Sequence, residues 1–133
     1  MKTKTCCFTG HRQIPAILHA QIQKHLESEI VNLIHQGVSY FGTGGALGFD
    51  TMAAQTVLAL KPQYPHIKLI LVLPCKTQEN GWCESDKKTY NLIRHQADKV
   101  VYTSEHYHKG CMHVRNRHLV DNSSICICYS KAT

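Results

Sequence analysis

The sequence predicts a three-layer α/β/α sandwich built on a mainly parallel five-stranded sheet. Short apolar runs alternate with helical patterns along the whole chain, and several of these runs are too uniformly apolar for a sheet with one wet face. The length of 133 residues and a hydrophobic content of 43% suit one packed core, so a single domain over 1–133 is expected. Strands that alternate with helices pair in parallel through right-handed crossovers.

The first strand is expected at Thr3–Thr9, stopped by Gly10. Pro15 stands where helices readily begin. Ile17, Leu18, Ile22, Leu26, Ile30, Leu33 and Ile34 then recur at three- and four-residue spacing, predicting one long helix with a single apolar face. Gly37 is its expected stop. Val38–Phe41 reads as the second strand and runs directly into Gly42–Asp50, the segment GTGGALGFD. A helix from about Asp50 to Leu60 follows, closed by Pro62. Ile67–Leu73 (IKLILVL) is the clearest buried strand. After Pro74 comes a polar loop with Trp82, then a helix over Glu84–Gln96, a strand over Lys99–Thr103, a helix over His113–Asn122 and a strand over Ile125–Tyr129. The sequence stops soon afterwards at Ser130–Thr133, with no covering helix. Either a partner subunit covers that face, as in a homo-oligomer, or the chain is a shortened form lacking a C-terminal helix.

The formal charge of +6, with ten further histidines, favours anionic partners without choosing among nucleotides, nucleic acids and acidic proteins. Seven cysteines cannot form a fully paired intramolecular disulfide framework, and Cys6, Cys7, Cys126 and Cys128 fall in predicted strands as small hydrophobes. No signal-peptide core follows Lys2 and Lys4, and the longest apolar run, Leu69–Leu73, is far too short to span a bilayer. A cytoplasmic protein with no membrane partner is therefore expected.

Ligands of open parallel sheets bind beyond the carboxyl ends of the strands. Gly10, His11 and Arg12 follow strand one there, Gly42–Asp50 follow strand two, Glu79, Trp82 and Glu84 follow strand three, and Arg115 and Asn116 follow strand four. Every polar cluster maps to one rim. In Gly44, Gly45 and Gly48, glycine lets backbone N–H groups approach a phosphate, or else packs a tight turn between helix and sheet. No GxGxxG spacing or P-loop lysine accompanies them. Asp50 can accept from a ribose or cap its helix. Arg12 suits bidentate phosphate recognition or a surface ion pair, and His11 can meet the ligand or rest against a helix end. Arg115, expected to open a helix where its charge opposes the dipole, reads as ligand-facing or simply solvated. Trp82 can stack on a base or cover the core. His106, His108, Cys111 and His113 match no compact metal-ligand set, so no metal is expected.

Cys7-Phe8-Thr9-Gly10-His11-Arg12, Gly44–Asp50 with Ala53-Ala54, the Trp82 loop, Tyr90 and Arg115-Asn116 together resemble the YpsA-like family of the SLOG superfamily, which also contains the DNA-processing protein DprA and the LOG phosphoribohydrolases. The resemblance covers nearly the whole chain in order. It implies a bacterial Rossmann-like protein binding a nucleotide or nucleotide-derived ligand through Gly10, Arg12, Gly44, Gly45, Gly48, Asp50, Arg115 and Asn116, and it supplies no reaction. The PGGxGTxxE motif of LOG enzymes has no match here. The similarity also implies that relatives continue past the fifth strand, where this chain ends at Thr133. The leading expectation is a protein that binds or senses a nucleotide-type ligand, with no certain cofactor. One alternative is a nucleotide-cleaving hydrolase using Glu79, Glu84 or Asp50 as acid or nucleophile. The other is a DprA-like DNA-binding module, against which the lysines are spread rather than gathered in a stripe.

Overall fold

A computed structural model describes residues 2–129; the expectations for Ser130–Thr133 lie outside them. A 3-10 turn at Lys2–Lys4 leads into β1 (Thr5–Gly10), followed by α1 (Ala16–His35), β2 (Tyr40–Thr43) and α2 (Phe49–Leu60). Then come β3 (Lys68–Leu73), α3 (Glu84–Gln96), β4 (Lys99–Tyr102), α4 (Cys111–Asp121) and β5 (Ile125–Tyr129). The strands form one sheet in the order β4-β3-β2-β1-β5 with every pairing parallel. The predicted Rossmann-like α/β architecture is therefore the observed one.

Boundaries moved where local hydrogen bonding intervened. β1 starts at Thr5 rather than Thr3 because the residues before it coil into the 3-10 turn. β2 starts at Tyr40 rather than Val38 because Val38 belongs to the end of α1. There Gly37 adopts φ +100, its N–H donates to Ile34 O at 3.0 Å, and the Val38 N–H donates to Leu33 O at 3.0 Å. Those two bonds are a Schellman cap, which satisfies carbonyls that the helix leaves open.

Strand alternation divides the sheet into two unlike faces. Cys6, Phe8, Phe41, Leu69, Leu71 and Leu73 point to one side and form the main core with α1, α2 and α3. Cys7, Ile70 and Val72 point to the other, where Leu119 of α4 meets them. Gly42 lets α4 approach, since a Cβ there would sit 3.1 Å from Leu119 Cδ2. Beside α4 this face opens into a depression of about 350 Å³ lined by Tyr40, Ile70, Lys99, Val101 and His118 among others.

Two expectations about burial fail. Ile17 is 90% exposed and Leu18 is 37% exposed, and the buried residues of α1 begin at Leu26. A 20-residue helix is about 30 Å long while the six-residue β1 spans about 20 Å, so the first turns of α1 overshoot the sheet. Cys126 and Cys128 are exposed, because β5 is an edge strand and they lie on its less covered face. Among the described residues no helix is long and apolar enough to cross a membrane.

Candidate ligand-binding site

Strand order reverses at β1, whose neighbours β2 and β5 stand on either side of it. Beyond the carboxyl end of β1 lies a cavity of about 240 Å³ lined by Phe8, Thr9, Gly10, Arg12, Ala46, Asp50, Met112, Arg115 and Asn116. Three chain segments build it: the end of β1 with the loop after it, the loop from β2 with the first turn of α2, and the first two turns of α4.

The glycines shape this site by close packing. A Cβ on Gly10 would lie 2.7 Å from the Phe49 ring, and one on Gly44 would strike the Arg115 guanidinium. Gly48, at φ +80, is the N-cap of α2, and a Cβ there would strike the Arg12 carbonyl. The Phe49 N–H completes that junction by donating to His11 O at 3.1 Å. Gly44, Gly45 and Gly48 are not among the residues that line the cavity, and an added Cβ at each would meet a packed neighbour.

Asp50 is 6% exposed and lines the cavity from the first turn of α2. It does not cap its helix; instead Oδ2 accepts the Ala46 N–H at 3.3 Å. Among the described residues it has no ion pair within 4.0 Å and no further side-chain hydrogen bond. Burial pushes its carboxyl up from 3.8 to about 6, against the opposing pull of the Arg115 charge, the Ala46 N–H and the Arg12 charge.

Arg115 is also buried, at 5% exposed. α4 begins at Cys111, not His113, so Arg115 stands in the second turn rather than at the helix opening. Its Nη1 donates to Gly44 O at 2.6 Å and to Gln78 Oε1 at 3.3 Å, and its Nε donates to Asn116 Oδ1 at 2.7 Å. Gln78 also donates through Nε2 to Gly44 O at 3.2 Å, so one carbonyl ties three segments together. Burial lowers the Arg115 pKa, and the Asp50 charge opposes that shift. Arg12, by contrast, is exposed at the cavity mouth and, among the described residues, its guanidinium makes no hydrogen bond and no ion pair within 4.0 Å.

Gly10, Arg12, Asp50, Arg115 and Asn116 thus come together, with His11 beside them. The exposed His11 ring meets Tyr129 edge-on at 6.0 Å. Trp82 does not line the cavity but stands edge-on to Tyr90 at 5.2 Å, against the main core. Glu79 and Glu84 do not line it either; Glu84 borders a surface depression along α3 with Lys87, Lys88 and His95. Sequence reasoning missed Thr9, Ala46 and Met112 in the wall and Gln78 behind it. Thr9 and Ala46 adjoin or lie within the motifs already marked, whereas Gln78 sits in a polar loop where nothing distinguishes it from a surface residue.

An open, all-parallel sheet with a polar cavity beyond its strand ends, where strand order reverses, defines a Rossmann-like domain. Residues 7–132 match the YspA SLOG family (YpsA), and the chain belongs to that family. It is 36% identical to a UPF0398 protein of Halalkalibacterium halodurans over 104 residues, 77% of this chain and 55% of that protein. A UPF0398 protein of Brevibacillus brevis is 34% identical over 106 residues, 78% of this chain and 56% of the relative. The chain spans about half the length of the curated relatives it matches.

Proposed function

We propose that the protein binds or senses a nucleotide or nucleotide-derived ligand bearing phosphate, in the cavity beyond β1. The observation that carries this reading is the pairing of a buried, uncapping carboxylate, Asp50, with an exposed, unengaged guanidinium, Arg12, in one cavity. A buried carboxylate held by one backbone N–H and no ion pair is costly, and such groups concentrate at binding and catalytic sites. The opening turns of α2 and α4 flank the cavity, and their dipoles favour an anion there.

A thermal-shift panel of AMP, ATP, NAD, ADP-ribose, nucleotide sugars and cyclic dinucleotides tests the reading. A ligand at 100 times its Kd adds about 2.7 kcal/mol, which raises Tm by several degrees in a domain of this size. The expected result is a selective shift that Arg12→Ala abolishes. No shift with any member overturns the proposal.

One observation favours a second reading, cleavage of a nucleotide's N-glycosidic or phosphate bond. A buried carboxyl pushed up to about 6 at a cavity wall suits general acid–base work near neutral pH. That role would fall to Asp50, since Glu79 and Glu84 stand outside the cavity wall. Turnover lost in Asp50→Asn but kept in Glu84→Ala supports this reading, and binding without turnover removes it.

A further inference from the structure

We propose that β5 is a self-association edge: two copies of this chain pair their β5 strands antiparallel about a two-fold axis at Ile127, so that two sheets become one continuous sheet. This surface lies along the side of the sheet and does not depend on what the cavity binds.

The two edges of the sheet are unlike. An edge strand presents unpaired N–H and C=O groups, and proteins guard such edges with charge or proline. β4 is guarded: Lys99 stands exposed on it, and Asp98 just before it holds Lys61 Nζ at 2.6 Å. β5 reads Ile-Cys-Ile-Cys-Tyr, with no charged residue and no proline, in a chain of formal charge +6. Among the described residues it pairs only with β1, which leaves its outer side free. Ile125, Ile127 and Tyr129 are strong strand formers that pack only partly against the main core, and Cys126 and Cys128 on the opposite face are exposed.

Charge and symmetry make the occupant a second copy. An uncharged strand meets itself without setting like charges opposite one another, despite the net charge of the whole chain. A two-fold contact is self-complementary and closes, so it yields a dimer rather than a fibre. Centred on Ile127, the pairing sets Ile125 opposite Tyr129 of the second copy, an aromatic and β-branched pair of the kind that stabilises sheets. It also sets Cys126 opposite Cys128 of the second copy, on the exposed face. Five-residue strands bury little area, so the dimer is a weak one.

Sedimentation velocity on the reduced protein at rising concentration tests the proposal, and the expected result is a shift from monomer to twice that mass. Oxidised glutathione supplies the second measurement. Facing residues of an antiparallel pair have Cα atoms about 4.5–5.5 Å apart, within the roughly 4.4–6.8 Å that a disulfide spans. The two thiols should therefore join across the dimer, while oxidised glutathione is reduced to two thiols. Peptide mapping of the cross-linked dimer should then recover Cys126 joined to Cys128. Cys126→Ser with Cys128→Ser should abolish that link and keep the mass shift, whereas Cys126→Lys with Cys128→Lys, at two exposed positions, should abolish the shift while circular dichroism stays unchanged. A wild-type monomer at every concentration overturns the inference, as does a dimer cross-linked through the exposed Cys83 instead. A dimer that survives in the folded lysine variant overturns it too.

Discussion

On one face of the sheet, α1, α2 and α3 seal Phe41, Leu69, Leu71 and Leu73 from solvent, whereas on the other α4 alone covers Cys7 and Val72 and leaves Val101 and Lys99 beside an open depression. The cavity takes a wall from each side: Asp50 comes from α2 on the sealed face and Arg115 from α4 on the open one. Stability is therefore concentrated on one face, while the geometry of the site also depends on how one thinly packed helix docks. Leu119 against Gly42 and Arg115 on Gly44 O hold that helix in place.

The largest effect that would break this comparison comes from the sealed core. Phe41→Ala should cost about 3–5 kcal/mol, as for other fully buried aromatics, whereas Val101→Ala on the open face should cost under about 1 kcal/mol. Denaturant unfolding of the two variants measures both, and equal losses would erase the distinction between faces.

At the seam, the Asp50 carboxyl titrates at about 6 in the fold against an ordinary 3.8. The folded protein thus holds a proton that the unfolded chain has released between those values. That contribution is complete below 3.8 and is lost as pH rises through about 6. Asp50→Asn should flatten the stability profile in this window and, above it, stabilise the protein by at most about 3 kcal/mol. Urea titrations across that range would show the slope vanish, or show it unchanged and so assign it to other groups.

Leu119→Ala should cost about 2–3 kcal/mol, the low end for a buried leucine, because its side chain already stands near an open depression. Hydrogen exchange should then speed up in α4 before α2, a local loosening rather than a global one. The smallest expected effect is at Ile17: being 90% exposed, Ile17→Ser should shift stability by no more than about 0.5 kcal/mol. A larger loss would mean that the overshooting end of α1 is covered after all.

The fold was legible because its strands declare themselves locally. Ile67–Leu73 reads as buried on two faces without knowledge of its neighbours, and the glycine after α1 marks its end as the cap later shows. The faces were less legible. The apolar spacing of Ile17 and Leu18 continues that of Leu26 and Ile30, and only the relative lengths of helix and sheet put the first pair in solvent. Cys126 and Cys128 look like interior residues until strand order makes β5 an edge.

For the candidate site, the rule that ligands lie beyond the strand ends brought out Gly10, Arg12, Asp50, Arg115 and Asn116, because each follows a recognisable strand. It could not separate Trp82, Glu79 and Glu84 from them, since a residue on the correct rim can still face away from the cavity. Nor could it find Gln78, which is buried and accepts from Arg115, thirty-seven positions away in the chain.

The sequence by itself determined the alternation of strands and helices, their parallel pairing and the rim that carries the polar residues. Hydrophobic periodicity and turn chemistry are local, and they act on every chain that shares them. Tertiary structure alone decided which side chains on that rim converge, which face of the sheet stays open, and that Asp50 is buried with a single backbone hydrogen bond. Convergence and desolvation depend on distances between segments far apart in the chain, and no local pattern encodes those distances.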